Sequence, residues 1–413
     1  MRTRFSGWRI AAFATVVLGL TGPGQTLGVS VFIDHFADDL DLSKNAVAGG
    51  YAIGTLTGSL MMPAVGSWID RYGVRRSMTT IAVLFSIALV AMSGVQGIIS
   101  LTAGFVFIRM LGQGSLSLTG IVSVSLWFEQ KRGLALGIVL TASSALMALV
   151  PVALTFVIGE FGWRQAWLFA AATVAMIVIP IAWFGMIDRP SEVGQHVDGI
   201  TPEAHELDID VWGVDRSTAM HTRAFWILAG STAAGSMLVT GVNFHQISLL
   251  GESGFSETEA AIMFLPQVLG TSFGSPLSGL ILDRVGSRYG PAISLVLLSL
   301  VLLLAGSVSS TGAVIGYACV LGFYSGVTRT LGSALVPGWF GTKHIGSIQG
   351  AMTFMGVLAS AAGPIALALT ESVTGSFRTA ALVWCGVPLV GAAIAARNRL
   401  PTFSREPVAT VVQ

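Results

Sequence analysis

Two arginines stand inside long apolar runs: Arg109 within 101–127 and Arg329 within 312–338. A charge at the centre of a membrane helix costs about 2.5–3.5 kcal/mol on insertion scales, so it needs a compensating interaction and often marks a function. Arginine carries a planar fork of N–H donors that matches a carboxylate. Arg329 lies about nine residues, roughly 13 Å, from the nearer end of its run. Ser325 and Ser333 sit one turn to either side on the same face. That trio is a candidate anion site; the alternative is an arginine satisfied by backbone carbonyls and its serines. Arg109, with Gln113 one turn on, divides in the same way between solute contact and structural pairing. Ser117 holds in the first half of the chain the place Arg329 holds in the second. Asn243 and Gln246 share a face by i, i+3 spacing, with His245 between them. Gln25 and Thr26 follow Pro23 and Gly24, which can break a helix locally; Tyr51 adds a phenol. All of these can bond a solute, or one another at about 0.6–2 kcal/mol per bond.

Other chemistry is excluded by what is missing. The 21 carboxylates lie in loops or near the ends of apolar runs, with Asp34 and Glu371 nearest the interior. A site for organic cations or Na⁺ would need a midplane carboxylate, so the cargo is expected to be anionic or neutral. A proton, if one is carried, would ride on Asp34, His245 or the solute itself. There is no Walker motif, dinucleotide fingerprint or metal-spaced histidine pair, so no enzyme activity, cofactor or metal site is expected. Cys319 and Cys385 lie in apolar runs and are expected to pack rather than pair. The net charge of +1 gives no field for nucleic acid. The expected partners are a small solute and the lipid bilayer, with the chain acting as a monomer.

The elements that must hold these groups are membrane helices. Hydrophobic residues make up 53% of the 413 residues and charged ones 10%, against about 25% charged in soluble domains. Spans of about 20 mainly apolar residues are expected near 10–33, 46–69, 77–97, 101–127, 134–158, 165–187, 224–250, 258–282, 290–308, 312–338, 346–370 and 377–397, numbered one to twelve below. The first is longer than a signal-peptide core and is read as a retained helix. The polar segment 188–223, with Pro190 and Pro202, divides 1–187 from 224–413, each half a six-helix bundle. With both termini inside the cytoplasmic membrane, only Lys44, Arg164 and Arg378 among the basic loop residues face out. The positive-inside rule therefore favours that topology.

The halves also repeat. Gly66-Ser-Trp-Ile-Asp70-Arg71-Tyr-Gly73-Val-Arg75-Arg76 closes span two, and Gly279-Leu-Ile-Leu-Asp283-Arg284-Val-Gly286-Ser-Arg288 closes span eight. Trp127-Phe128 with Lys131 matches Trp339-Phe340 with Lys343 at nearly the same offset. Gly54-x-x-x-Gly58 and Gly270-x-x-x-Gly274 match too, as tight packing or as a sliding contact between halves. The paired signature, with Arg109-Met-Leu-Gly-Gln-Gly-Ser in span four, resembles the major facilitator superfamily. Within it the chain is most similar to the monocarboxylate-transporter-like branch, through Gly7-Trp8-Arg9, Arg132-Gly133-Leu-Ala-Leu-Gly137 and Arg189-Pro-Ser-Glu192-Val-Gly194 with Asp198-Gly199. Leu27, Thr271 and Ser275 stand where that branch has lysine, aspartate and arginine. The antiporter motif of drug exporters is absent from span five.

The resemblance implies an all-α membrane protein of twelve helices in two bundles that rock about a central cavity lined by spans one, four, seven and ten. It implies a secondary transporter, and the cavity arginine makes a small organic anion, moved with a proton or by exchange, the expected cargo. The alternative is an exporter of amphipathic compounds or drugs. It further implies a gate in which Asp70 approaches the start of span eleven and Asp283 that of span five, while Arg71, Arg75, Arg76 and Arg284 hold the turns. A cysteine at Ser191 is expected to react with an impermeant thiol reagent only after the cytoplasmic face is opened; labelling from outside in sealed cells would reverse the topology.

Overall fold

The structure, a computed structural model, describes residues 5–200, 212–285 and 287–398. Both chain ends, and the stretch of the linker holding Pro202, lie outside the described residues. Among the described residues regular structure is helical, apart from one isolated antiparallel bridge between Gly213 and Gly341.

Nine of the expected spans are helices long and apolar enough to cross a bilayer. They are Val74–Ser93, Ile98–Trp127, Arg132–Phe161, Trp163–Gly185, Arg223–Phe244, Gly290–Ser307, Thr311–Phe340, Ile345–Thr374 and Phe377–Ala396. The other three, spans one, two and eight, are broken. Span one runs Gly7–Gly19, tightens into a 3-10 turn at Gly22–Gly24 and resumes at Thr26–Ser30. Proline at 23 has no N–H to donate and its glycine neighbours have no side chain to hold a helix. Span two breaks at Met61, between Lys44–Leu60 and Met62–Tyr72, where the Pro63 ring would clash with the carbonyl of Ser59. Span eight breaks at Met263, between Glu257–Ile262 and Phe264–Val285, with Pro266 just beyond. Twelve spans result, as the sequence reading expects.

Span four carries an irregularity that periodicity did not reveal. Its middle, Arg109–Leu116, is a π-helix. The Ser115 and Ser117 hydroxyls donate to carbonyls five residues back, Met110 O at 2.7 Å and Gly112 O at 3.4 Å, which suits the wider turn. The bulge meets the broken part of span one, where Gly24 and Gly112 leave no room for a Cβ between their backbones.

The two halves touch backbone to backbone on the face that carries the signatures. A Cβ on Gly66 would fall into the carbonyl of Gly346, and one on Gly279 into that of Gly133. Gly137 meets Ser275 and Pro276 one turn deeper, as Gly350 meets Met62 and Pro63. The Gly-x-x-x-Gly pairs serve a different purpose. Gly54 and Gly58 pack on Phe105, Val106 and Met110 of span four, and Gly270 and Gly274 on Cys319 and Phe323 of span ten. They are static contacts inside each half, and the sliding alternative does not apply to them.

On the opposite face each half closes on itself. Asp39 pairs with Arg164 at 2.8 Å inside the first. Glu252 accepts from Phe377 N and Arg378 N, at 2.6 and 3.2 Å, inside the second. The linker straps the signature face: Asp198 accepts from Gln130 N at 2.7 Å, and Trp212 O accepts from Thr342 N at 2.9 Å.

Replacing Gly279 by valine forces spans five and eight apart. Overpacking of this kind costs about 1–3 kcal/mol, here charged to the arrangement closed on the signature face alone. The variant should populate the other arrangement, read as faster thiol labelling of a cysteine at Ser67; labelling at the wild-type rate would show that the glycine contact does not limit opening.

Candidate functional site

Arg329 lies deep between the halves. Its Nη1 donates to Ser144 Oγ of span five at 2.9 Å, and Ser144 gives its own proton to Leu140 O at 2.7 Å. Protein surrounds the side chain, yet it is exposed. A residue that bridges the halves and still meets solvent faces an open cleft. Ser144 lies about eleven residues, roughly 16 Å, beyond Gly133, so the cleft reaches well into the membrane from the opposite face. Ser144 uses one donor of the guanidinium, and among the described residues no carboxylate pairs with it. Ser325 and Ser333 bond to their own helix, at Leu321 O and Arg329 O, 2.9 and 3.0 Å away. They offer lone pairs rather than protons, and Ser333 is buried.

Arg109 is held differently. It is buried in the first half, with Nε donating to Thr55 Oγ1 at 2.9 Å and Nη1 to Gly24 O at 3.1 Å. Its guanidinium carbon stands 4.8 Å from the centre of the Tyr51 ring, and the Tyr51 hydroxyl donates to Thr26 Oγ1 at 2.8 Å. The broken span one needs such a tie, because its unwound carbonyls have no helical partner. Of the two readings of Arg109, the geometry is that of structural pairing, and Tyr51 belongs to the same cluster. Gln25 Nε2 donates back to Thr21 Oγ1 at 3.1 Å. Ser117 is half-buried, as is Gln113, whose buried Oε1 has no partner.

Span seven departs from the expected pattern. Its helix ends at Phe244 and a new one begins at Gln246, so Asn243 and Gln246 do not share a face by i, i+3 spacing. Gln246 is fully buried. Its Nε2 donates to Ala260 O at 3.2 Å and its Oε1 accepts from Gln267 Nε2 at 2.5 Å, binding span seven to span eight away from the cleft. Asn243 is half-buried, with Oδ1 unpaired. His245 Nε2 lies 3.1 Å from Pro364 O, and its ring stacks on Phe377 at 4.4 Å. Asp34 is exposed on the helix Ile33–Asp39. Neither titratable group bonds to Arg329 among the described residues.

The signature aspartates form two clamps across the halves. Asp70 accepts from Gly346 N at 2.7 Å and Ser347 N at 2.8 Å, the first turn of span eleven. Asp283 accepts from Gly133 N at 2.9 Å and Leu134 N at 2.8 Å, the first turn of span five. Helix N-termini present unpaired N–H groups and partial positive charge, so a carboxylate there is favoured twice. Arg75 donates from its backbone N to Asp188 at 2.6 Å and from Nε to Trp183 O at 2.7 Å, which fastens the turn to the end of span six. Arg71 stands over its neighbour Tyr72, and Arg76 and Arg284 are exposed. A cavity of about 420 Å³ opens beside Asp70, under the linker helix Arg216–Met220, and is separate from the cleft of Arg329. On its rim Asp215 caps that helix, and its bonds to Thr218 hold its carboxyl below the usual range.

The sequence reading missed Ser144 and Asp198. Ser144 stands in the polar stretch Thr141-Ala-Ser-Ser of span five, whose partner could not be read from spacing. Asp198 stands out in the sequence only as part of a family motif, and nothing in its spacing points to the N–H groups of Glu129 and Gln130.

A profile of the Major Facilitator Superfamily matches residues 10–244 and 225–410. The chain is 25% identical to monocarboxylate transporter 11 of Mus musculus over 401 residues, covering 94% of this chain and 86% of that protein. It is 23% identical to the hexuronate transporter of Bacillus subtilis over 389 residues, covering 87% of each. In three dimensions it is similar to the human organic anion transporter MFSD10 (TETRAN), with a TM-score of 0.71 at 16% identity, over 95% of this chain and all of that one.

Changing Asp70 to asparagine removes the charge and turns an amide N–H₂ toward helix donors. The expected loss is about 1–2 kcal/mol from the closed arrangement. In a cysteine-bearing background this appears as about five- to thirtyfold faster labelling at Ser67; an unchanged rate would mean that the carboxylate holds nothing shut.

Proposed function

This chain belongs to the Major Facilitator Superfamily and moves a small solute across a membrane; on that premise we propose that the solute is a small organic anion held by Arg329. One observation carries the reading: an arginine deep between the halves, open to the cleft, with donors to spare and no carboxylate partner among the described residues. Such a fork raises the local concentration of anions and suits a carboxylate with two parallel bonds. The names of two relatives, a monocarboxylate transporter and a hexuronate transporter, both specify acids.

In this reading residues 1–187 and 224–413 are the two rocking bundles, with 188–223 as a cytoplasmic strap. The signature face is cytoplasmic, in the inner membrane, with both termini on that side. The conformer described is then the one open to the outside and latched inside by Asp70 and Asp283. Arg71, Arg75, Arg76 and Arg284 hold the latch turns. Asn243 and Gln25 carry amide N–H donors that would complete the anion's shell, while Ser325 and Ser117, whose protons go to their own helices, would serve only as acceptors. The driving step is a co-transported proton, on Asp34, His245 or the solute, or exchange for a second anion.

The test is binding of lactate, pyruvate and glucuronate to purified protein, with ethidium as the amphipathic rival. Arg329→Ala should weaken carboxylate binding by about 2–5 kcal/mol once the cleft closes over the pair. Arg329→Lys, which keeps the charge without the fork, should fall between. Carboxylate affinity unchanged in a well-folded Arg329→Ala, with ethidium bound tightly, would put amphipathic export ahead.

A further inference from the structure

Between the clamps and the open cleft, a third bond joins the halves: Arg329 to Ser144, 2.9 Å, from span ten to span five. It differs from the clamps in kind. Asp70 and Asp283 are carboxylates on backbone N–H groups at the signature face. Here a charged donor meets a neutral hydroxyl within the cleft. The Ser144 proton is committed to Leu140 O at 2.7 Å, so the hydroxyl turns its lone pairs toward the guanidinium. It therefore acts toward Arg329 as an acceptor without charge.

We propose that Ser144 is a stand-in for the transported anion: it holds Arg329 across the seam while the cleft is empty, and the anion displaces it. This rests on the anion reading above. The bond to Ser144 is charge-assisted from the arginine side alone, whereas a carboxylate brings the opposite charge as well and engages two donors of the fork where a hydroxyl engages one. The anion thus wins Arg329, and the tie between spans five and ten is released when it does. Binding then weakens the contact that must part for the signature face to open. The empty carrier keeps the tie and returns slowly. Ser144 is in this sense a positioning residue, acting through Arg329.

The tie can be tested before any solute is identified. Spin labels are placed on exposed signature-face positions, one in each half, of the full-length protein in nanodiscs, and the population with the signature face open is read by pulsed distance measurement. Without solute, Ser144→Ala should raise that population about five- to tenfold, the effect of losing one hydrogen bond to a charged group in a wet cleft. Ser144→Thr, which retains the hydroxyl, should stay near wild type. Arg329→Ala should match Ser144→Ala, and the double variant should add nothing, because both remove the same bond. A general loosening of span five would instead add to the arginine effect. If Ser144→Ala does not purify as a single species, Ser144→Cys carries the same test with a much weaker acceptor.

The second arm uses lactate and glucuronate as probes. Each anion that binds should shift wild type toward the open population, and should shift Ser144→Ala much less while binding it a few-fold more tightly. An empty-state population identical in wild type and Ser144→Ala would overturn the tie, and an anion shift of equal size in both would overturn the displacement. Failure of the anion reading looks different: Arg329→Ala would open the empty carrier yet bind both probes as wild type does.

Discussion

A helix that begins at a contact between two halves leaves its first N–H groups without intrahelical partners, and the facing half must supply them wherever it covers them. Spans five and eleven both begin where the halves meet. Their first-turn N–H groups at Gly133, Leu134, Gly346 and Ser347 are satisfied by carboxylates of the opposite half. Everything else on that face follows from this exchange. The carboxylates reach because Gly66 and Gly279 let the backbones come into contact with Gly346 and Gly133. The turn bearing Asp70 is held by Arg75 through Asp188 and Trp183. Parting the halves would strip these four N–H groups of their carboxylates, so the exchange favours contact on this face.

The linker adds a second layer to the same helix starts. Asp198 takes Glu129 N and Gln130 N just ahead of span five, while Trp212 O takes Thr342 N and Lys343 N just ahead of span eleven. One polar segment therefore touches both places at which the clamps act. Arg132 lies buried at the start of span five, its Nε bonded to Phe128 O at 2.8 Å. A charge so placed is stabilised by the carboxylates of Glu129, Asp198 and Asp283, from the adjoining loop, the linker and the second half.

Much of the fold was legible because hydropathy and glycine chemistry are local. Apolar runs of about 20 residues mark spans whatever surrounds them, and the duplicated signature marked the face on which Asp70 and Asp283 meet the opposite half. The breaks in spans two and eight were not read, although Pro63 and Pro266 stood in view, because mean hydropathy carries across a kink. The π segment of span four was hidden for another reason: it depends on Gly24, which packs against it from about 85 residues away. The reading of Gln246 failed on a single backbone turn at His245. Periodicity assumes one continuous helix, and one residue out of phase moves the next side chain from the cleft to the seam between spans seven and eight.

The two membrane arginines show where such reading must end. By composition they are alike, one in each half, each in a run of apolar and small residues. Arg109 is surrounded on three sides by groups of its own half: a hydroxyl, an unwound carbonyl and an aromatic face. Its charge is consumed in holding a broken helix together. Arg329 bonds to a single hydroxyl among the described residues, and that hydroxyl belongs to the opposite half. A charge whose partners all lie in its own half keeps them whatever the other half does; a charge whose one partner lies across the seam depends on where that half sits. That difference resides in Thr55, Gly24 and Ser144, residues far from either arginine in sequence, and only the packing of the spans makes it visible.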